Sequence, residues 1–167
     1  MVKRCKRALG EENVVTLETL NSLGGHLRGN GEFEEAKEVY ERCLARRMKV
    51  LGEEHKDTLG VLNNLGIVYK NLANYEKALE YYERALKGDE RTLGKTHPHT
   101  LDTVMNIAIV NEDLKDYEKA EALYQRALEA QLGKNHESTI QSVRNFKICL
   151  ELCGNSERLA ELISRHP

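Results

Sequence analysis

The sequence has few cysteines and no long apolar run. No stretch approaches the roughly 20 consecutive apolar residues that cross a bilayer, and no signal-peptide core follows the basic residues near the start. The four cysteines, Cys5, Cys43, Cys149 and Cys153, are too few and too scattered for a disulfide framework in a chain of 167 residues. These absences predict a reduced, cytoplasmic protein that does not enter a membrane.

Net charge is also nearly absent. Lys and Arg number 25 and Asp and Glu number 27, which gives a formal net charge of -2. Nucleic acids and anionic lipid surfaces attract proteins that carry an excess of positive charge. We therefore expect neither nucleic acid nor a membrane as a partner.

Groups of residues typical of catalysis are missing. The glycine-rich residues 24–31 lack the Gly-Lys-Ser/Thr sequence of a phosphate-binding loop. Acidic pairs such as Glu53 and Glu54 fall in or beside predicted turns, where a carboxylate stays solvated and is poorly suited to proton transfer. We expect no catalytic residue, no cofactor and no enzyme activity.

Two patterns superficially suggest a metal site. His55, His97 and His136 each precede a predicted helix at the same point of a repeat, but successive repeats are displaced by about 10 Å, whereas metal ligands lie about 2 Å from the ion. These histidines are expected to have a structural role in turns. Cys149 and Cys153 lie four residues apart, yet no second pair of ligands is near them in sequence. The sequence predicts no metal site.

What the sequence does contain is a long repeat. Leu-Gly pairs at residues 9–10, 51–52, 93–94 and 132–133 follow one another after 42, 42 and 39 residues. The same spacing relates Tyr40, Tyr82 and Tyr124. A fixed interval of this size predicts an array of stacked units, each of which completes the core of its neighbour.

Residues 58–86 form the clearest unit. Each half places apolar residues on one side of a helix: Leu59, Leu62, Leu65 and Tyr69 in the first half, and Tyr75, Leu79, Tyr82 and Leu86 in the second. A short turn near Ala73 and Asn74 joins the two predicted helices. Since neither helix could bury its apolar side alone, the pattern predicts an all-α solenoid of antiparallel helix pairs.

The interval also sets expected boundaries within one continuous solenoid domain. Residues 1–9 align with the end of a second helix and are interpreted as a remnant of a preceding repeat. The predicted repeats are then residues 10–51, 52–93, 94–132 and 133–167, of which the last is shortened.

Several individual residues predict where the helices cross, turn and begin. Gly24 and Gly66 occupy equivalent places where two helices are expected to cross closely, whereas Gly29 and Gly31 are expected to permit positive φ in a turn. Expected helix caps are Asp57 and Asn74 in repeat two and Asp116 in repeat three, and Pro98 suits a first helical turn.

The unit resembles the tetratricopeptide repeat. The pattern L-x2-L-G-x2-Y at residues 62–69, followed by A-x3-Y at residues 78–82, matches that family except that Leu62 replaces the usual Trp. The longer interval, the Leu-Gly between units, and the sequence His97-Pro98-x-Thr100 are similar to the extended repeats of kinesin light chain. The resemblance implies a right-handed superhelical array that binds proteins, with the first helix of each repeat lining a concave groove.

On these first helices the side not used for packing carries the candidate binding residues. We expect a peptide-binding groove formed by Asn21, Arg28, Asn63, Asn64, Ile67, Lys70, Met105, Asn106, Ile109, Arg144 and Asn145. An Asn carboxamide both donates and accepts, so the equivalent Asn64, Asn106 and Asn145 suit the backbone of an extended peptide. Exposed asparagines that are merely tolerated remain the alternative.

Charge is expected to change along this face. Arg28 and Lys70 are positive in the first two repeats, and the equivalent Glu112 and Glu151 are negative in the last two. The pattern predicts an oriented ligand that is acidic toward repeats one and two.

Two functions remain open on this evidence. The first is a protein-interaction scaffold that holds an extended segment of another protein in the groove. The second is a structural array that packs against copies of itself, as a homo-oligomer through its terminal repeats, or against another domain of a larger protein. Incomplete repeats at both ends favour the second function, because they leave apolar side chains uncovered.

Overall fold

The structure, a computed structural model, describes residues 13–131 and 137–155. Within these ranges the chain forms helices and turns and no strand. The helices are α1 Val14–Gly29, α2 Phe33–Leu51, α3 Lys56–Asn71, α4 Tyr75–Thr92, α5 Pro98–Asp113, α6 Tyr117–Gln131 and α7 Glu137–Cys153. The predicted all-α fold is confirmed. The predicted remnant at residues 1–9 and the end of repeat four lie outside the described residues.

The chain divides between Thr92 and Leu93 into two compact units. Unit one contains α1 to α4, and unit two contains α5 to α7. Within each unit, helices that follow one another in sequence pack together, and in unit one α1 also contacts α3. Because short turns join them, consecutive helices run antiparallel. The predicted helix pairs are therefore confirmed, whereas the exact repeat boundaries stay a prediction.

A buried tyrosine joins the two helices of a pair. Tyr40 of α2 and Tyr82 of α4 are almost fully buried. A Cβ atom added at Gly24 would lie 2.7 Å from the Tyr40 ring, and one added at Gly66 would lie 2.5 Å from the Tyr82 ring. Carbon atoms in contact are normally about 3.5 to 4.0 Å apart. The predicted close crossings at both glycines are confirmed.

A histidine is the N-cap residue of two first helices, α3 and α5. The Nδ1 atom of His55 accepts a hydrogen bond from the Asp57 backbone N–H at 3.2 Å, and Nδ1 of His97 accepts one from the His99 N–H at 3.2 Å. The prediction of Asp57 as the cap of α3 is wrong, because Asp57 lies inside the first turn. The predicted structural role of these two histidines is confirmed. His136 lies outside the described residues.

The second helices begin as predicted. The Asn74 side chain accepts a hydrogen bond from the Lys77 backbone N–H at 3.2 Å, and the Asp116 carboxylate accepts one from the Lys119 N–H at 3.4 Å. Pro98 lies in the first turn of α5, where its missing N–H leaves no donor unsatisfied.

Each first helix is followed, one or two residues after its end, by a residue with positive φ. The angle is +81° at Gly31, +56° at Ala73, +63° at Lys115 and +72° at Gly154. The residue after each of them donates its N–H five residues back, as Asn74 does to the Tyr69 carbonyl at 2.9 Å. This arrangement satisfies carbonyls left open at a helix end. The expectation of positive φ is confirmed at Gly31 and wrong at Gly29, which is the last residue of α1.

Candidate protein-binding groove

Unit one contains a groove of about 450 Å³ between α1 and α3. We call it the inner groove. Its lining consists of Glu18, Asn21 and Ser22 from α1, Arg47 from α2, and Lys56, Asp57, Gly60 and Asn64 from α3. Two carboxylates and two cations are among these side chains, together with amide and hydroxyl groups. The groove is therefore suited to a hydrogen-bonding ligand rather than to an apolar one.

Asn64 lies where the first helices of repeats one and two face each other. Its Oδ1 atom accepts a hydrogen bond from Nη1 of Arg28 at 3.0 Å. The structure thus brings together two predicted binding residues that are far apart in sequence. The Arg28 guanidinium is held at the groove by a contact within the fold instead of extending freely toward a ligand.

Asn21 is a predicted binding residue that does line the groove. Its side chain is half-buried, and its Oδ1 atom is buried without a hydrogen-bond partner in the structure. A buried acceptor without a partner costs about 1 to 3 kcal/mol. The atom is covered by its neighbours in this structure, so the exposed part of the Asn21 side chain is what lines the groove.

Arg47 is a lining residue that the sequence did not reveal. The residue is only 6% exposed, and its Nη1 atom donates to the Asp57 backbone carbonyl at 2.5 Å. Its Nε atom is buried without a hydrogen-bond partner. Helical spacing does place Arg47 on the buried side of α2, seven residues after Tyr40 and four after Cys43, but the sequence prediction considered only the first helices of the repeats.

The other predicted residues of unit one lie on α3 beside the inner groove. Asn63, Ile67 and Lys70 are all half-buried and do not belong to the lining. Asn63 makes contacts of its own within the fold. Their part in binding stays a prediction.

In unit two the predicted residues have mixed surroundings. On α5, Met105 is only 8% exposed, and Ile109 packs against a core that includes Tyr124. Asn106 is half-buried. On α7, Arg144 is exposed and Asn145 is half-buried. Met105 and Ile109 therefore contribute mainly to packing, which leaves the polar residues as the accessible part of the predicted surface.

The predicted change of charge involves groups that the fold already uses. Glu112 accepts a hydrogen bond from the Tyr124 hydroxyl at 3.0 Å. Arg28 is likewise engaged, because it donates a hydrogen bond to Asn64. Burial and the neighbouring Glu112 carboxylate raise the pKa of Tyr124, so this hydroxyl keeps its proton. The oriented acidic ligand stays a prediction.

Across the described residues, no three His, Cys, Asp or Glu side chains form a group that could hold a metal ion. The helices of the same ranges include none with the length and apolarity needed to cross a bilayer.

Known structures share this fold. BtubC (BKLC) from P. vanneervenii has a TM-score of 0.83 and 22% identity, with 90% of this chain covered and 61% of that one. A Podosopora anserina protein with nearly identical TPR-like repeats, which is kinesin light chain-like, has a TM-score of 0.84 and 23% identity, with 98% of this chain and 79% of that chain covered. The chain thus spans less than two thirds of the length of BtubC.

A more distant structure is the Sgt2 TPR domain from Aspergillus fumigatus. It has a TM-score of 0.63 and 18% identity, with 85% of this chain and 82% of that one covered. No curated protein matches the sequence significantly. These similarities bear on the fold, which is the extended repeat array that kinesin light chain-like proteins share.

The family assignment comes from the sequence itself. The model of the tetratricopeptide repeat matches residues 15–91, 57–132 and 100–158, which overlap and together cover most of the chain. Repeats of this kind serve generally as non-catalytic scaffolds for interactions between proteins. The chain belongs to the tetratricopeptide repeat family.

Proposed function

We propose that the protein is an interaction scaffold that binds an extended segment of another protein in the inner groove. The supporting observation is a polar groove of about 450 Å³ between α1 and α3, whose lining side chains include both hydrogen-bond donors and acceptors. An extended backbone offers N–H and C=O groups in alternation, and a carboxamide can pair with both.

Helix packing favours binding to a preformed surface. Asn64 is fixed by its bond to Arg28, and Arg47 is fixed by its bond to the Asp57 carbonyl. Side chains that are already immobilised lose little conformational entropy when a ligand arrives.

The test is selection and titration of peptides. The full chain is used to select binders from a displayed library of short random peptides, and fluorescein-labelled binders are then titrated by fluorescence anisotropy. Asn64→Ala should weaken binding by about tenfold, because it deletes a groove carboxamide and releases Arg28.

Asn71→Ala serves as the matched control. Asn71 is an exposed asparagine at the end of the same helix, outside the groove lining. This variant should bind as the unmodified chain does. A library that yields no binder, or binders that tolerate Asn64→Ala, would contradict the proposal.

A second candidate is self-association through α7. Ile148 and Leu152 lie four residues apart, on one side of the helix, and are 47% and 55% exposed. Sedimentation velocity over a wide concentration range should then show a dimer that Ile148→Glu with Leu152→Glu abolishes. A strict monomer at every concentration would argue against it.

A further inference from the structure

We propose that Asn30 is a site of spontaneous covalent modification, at which the side-chain carboxamide becomes a mixture of aspartate and isoaspartate. Asn30 and Gly31 form the turn between α1 and α2, and both residues are exposed. The proposal does not depend on the proposed function, because it concerns a reaction of the chain with itself and with water.

The reaction closes a ring and then opens it. The Gly31 backbone nitrogen loses its proton and attacks the Asn30 Cγ atom. A bond forms between these two atoms, and the side-chain nitrogen takes up a proton and leaves as ammonia. Water then opens the cyclic imide at one of its two carbonyl carbons, which gives aspartate in one case and isoaspartate in the other.

The glycine after Asn30 favours this attack. Gly31 has no Cβ atom, so no side chain shields its nitrogen from the preceding residue. Residues 30–31 are the only Asn-Gly pair of the sequence. Asn71 and Asn74 are also exposed, but a leucine and a tyrosine follow them, and those side chains obstruct the same approach.

The folded turn restrains the reaction. The Gly31 N–H donates to the Arg28 carbonyl at 3.1 Å, and the Asn30 carboxamide nitrogen donates to Oε1 of Glu32 at 3.0 Å. Asn30 has a ψ of -5°, so the peptide unit must also rotate to bring the Gly31 nitrogen to Cγ. The reaction therefore proceeds from an opened form of the turn.

This turn is held less firmly than its equivalents. Glu32 precedes α2 and makes no side-chain hydrogen bond to the helix, whereas Asn74 and Asp116 cap α4 and α6. Gly29 and Gly31 add conformational freedom to the open form. Weakly bonded segments open locally while the rest of a fold stays closed, so the folded chain should react slowly.

The product alters the end of α1. A carboxylate at residue 30 puts negative charge at the C-terminal end of the helix, where the helix dipole disfavours it, and it repels the Glu32 carboxylate instead of donating to it. Isoaspartate also lengthens the backbone within the turn. The change lies two residues from Arg28, whose guanidinium joins α1 to Asn64 of α3 at 3.0 Å.

The first test uses the unmodified full chain. The chain is incubated in neutral buffer at physiological temperature and then digested with trypsin. The peptide of residues 29–37 should gain the mass difference between a carboxylic acid and a carboxamide, and an isoaspartyl methyltransferase should methylate part of it. The peptide of residues 71–77 carries Asn71 and Asn74 and should keep its mass.

A synthetic peptide of residues 29–37 sets the length of the incubation. If this peptide were fully converted while the same segment of the full chain stayed unmodified, the proposal would be overturned. Equal modification of residues 29–37 and 71–77 would overturn the role of Gly31.

A second test separates the chemistry from the restraint by the fold. In concentrated urea the segment should react severalfold faster than in buffer, because the bonds to Arg28 and Glu32 are broken. In urea, Gly31→Ala should slow the reaction severalfold, whereas Gly29→Ala leaves the Asn-Gly pair intact and should not. Equal rates for the two variants would contradict attack by the Gly31 nitrogen, and equal rates in urea and buffer would contradict restraint by the turn.

Discussion

The ring of Tyr82 lies against Gly66 so closely that a methyl group on residue 66 would stand 2.5 Å from it. The equivalent place in repeat three holds Ala108, which is buried in a core that contains the equivalent Tyr124. Repeat three thus accommodates a methyl group at this place, whereas repeat two does not. The two helix crossings share their pattern but differ in their spacing.

Gly66→Leu should therefore destabilise the protein. The added side chain must displace the buried Tyr82 ring, and overpacking of this kind costs about 1 to 3 kcal/mol. Urea denaturation followed by circular dichroism would measure the loss in the free energy of unfolding.

The matched control is Gly60→Ala in the same helix. No atom lies within 4 Å of the place where its Cβ would stand, so this change should stabilise α3 by about 0.5 to 1 kcal/mol through helix propensity. If Gly66→Leu unfolded at the same urea concentration as the unmodified chain, the close crossing would not exist in solution.

Much of this fold could be predicted from the sequence, because its determinants are local or repeat at a fixed interval. The spacing of Tyr40 and Tyr82 predicts the helix pairs, and the small size of Gly24 and Gly66 predicts the crossings. The cap of α3 was missed for a physical reason. Aspartate is among the residues that cap helices most often, but Asp57 lies inside the first turn of α3. His55 stands directly before the helix, and its ring nitrogen accepts the hydrogen bond from the Asp57 backbone N–H.

The turns after the first helices give a second stability prediction. Ala73 and Lys115 have positive φ, a conformation that costs an L-residue about 1 to 2 kcal/mol. Ala73→Gly and Lys115→Gly should each raise the free energy of unfolding by up to about 1 kcal/mol, since part of the relief is offset by the larger entropy of glycine in the unfolded chain. Thermal melts would show a higher midpoint.

Gly31 provides the reverse experiment at an equivalent turn. Its φ is +81°, and no neighbouring atom would obstruct an added methyl group. Gly31→Ala should therefore lower the free energy of unfolding by about 1 kcal/mol through backbone strain alone. A gain in stability from this change would contradict the assigned turn conformation.

The histidine cap of α5 can be tested in the same way. His97→Ala removes the acceptor for the His99 backbone N–H and should cost about 1 kcal/mol. His97→Asn supplies a carboxamide oxygen and should restore the stability. If the alanine and asparagine variants melted together, the hydrogen bond from His97 would not contribute to the helix.

The candidate site was less accessible to sequence reasoning than the fold. Asn21 and Asn64 could be placed on the groove because helix periodicity determines which side of α1 and α3 is left unpacked. Arg47 was missed because it comes from a second helix, although its spacing from Tyr40 and Cys43 places it on the buried side of α2; what the spacing does not show is its bond to the Asp57 carbonyl. Met105 looked accessible by periodicity but is covered, since packing against neighbouring helices is not encoded in the pattern of α5 alone.

Alkaline pH should destabilise the protein through its buried tyrosines and cysteine. Burial raises the pKa of Tyr82 above its ordinary value of 10.0 and raises the pKa of Cys149 to about 12. Above about pH 9 the unfolded chain releases these protons while the folded chain retains them. Because the unfolded state then binds fewer protons, the free energy of unfolding falls as pH rises.

The thermal midpoint should accordingly be nearly constant near pH 8 and fall steadily toward about pH 11. Tyr82→Phe removes one of the buried groups, so its midpoint should fall less steeply over the same interval. A midpoint that stays level up to about pH 11, or a Tyr82→Phe profile that falls as fast as the unmodified one, would mean that the Tyr82 hydroxyl loses its proton as readily in the folded chain as in the unfolded one.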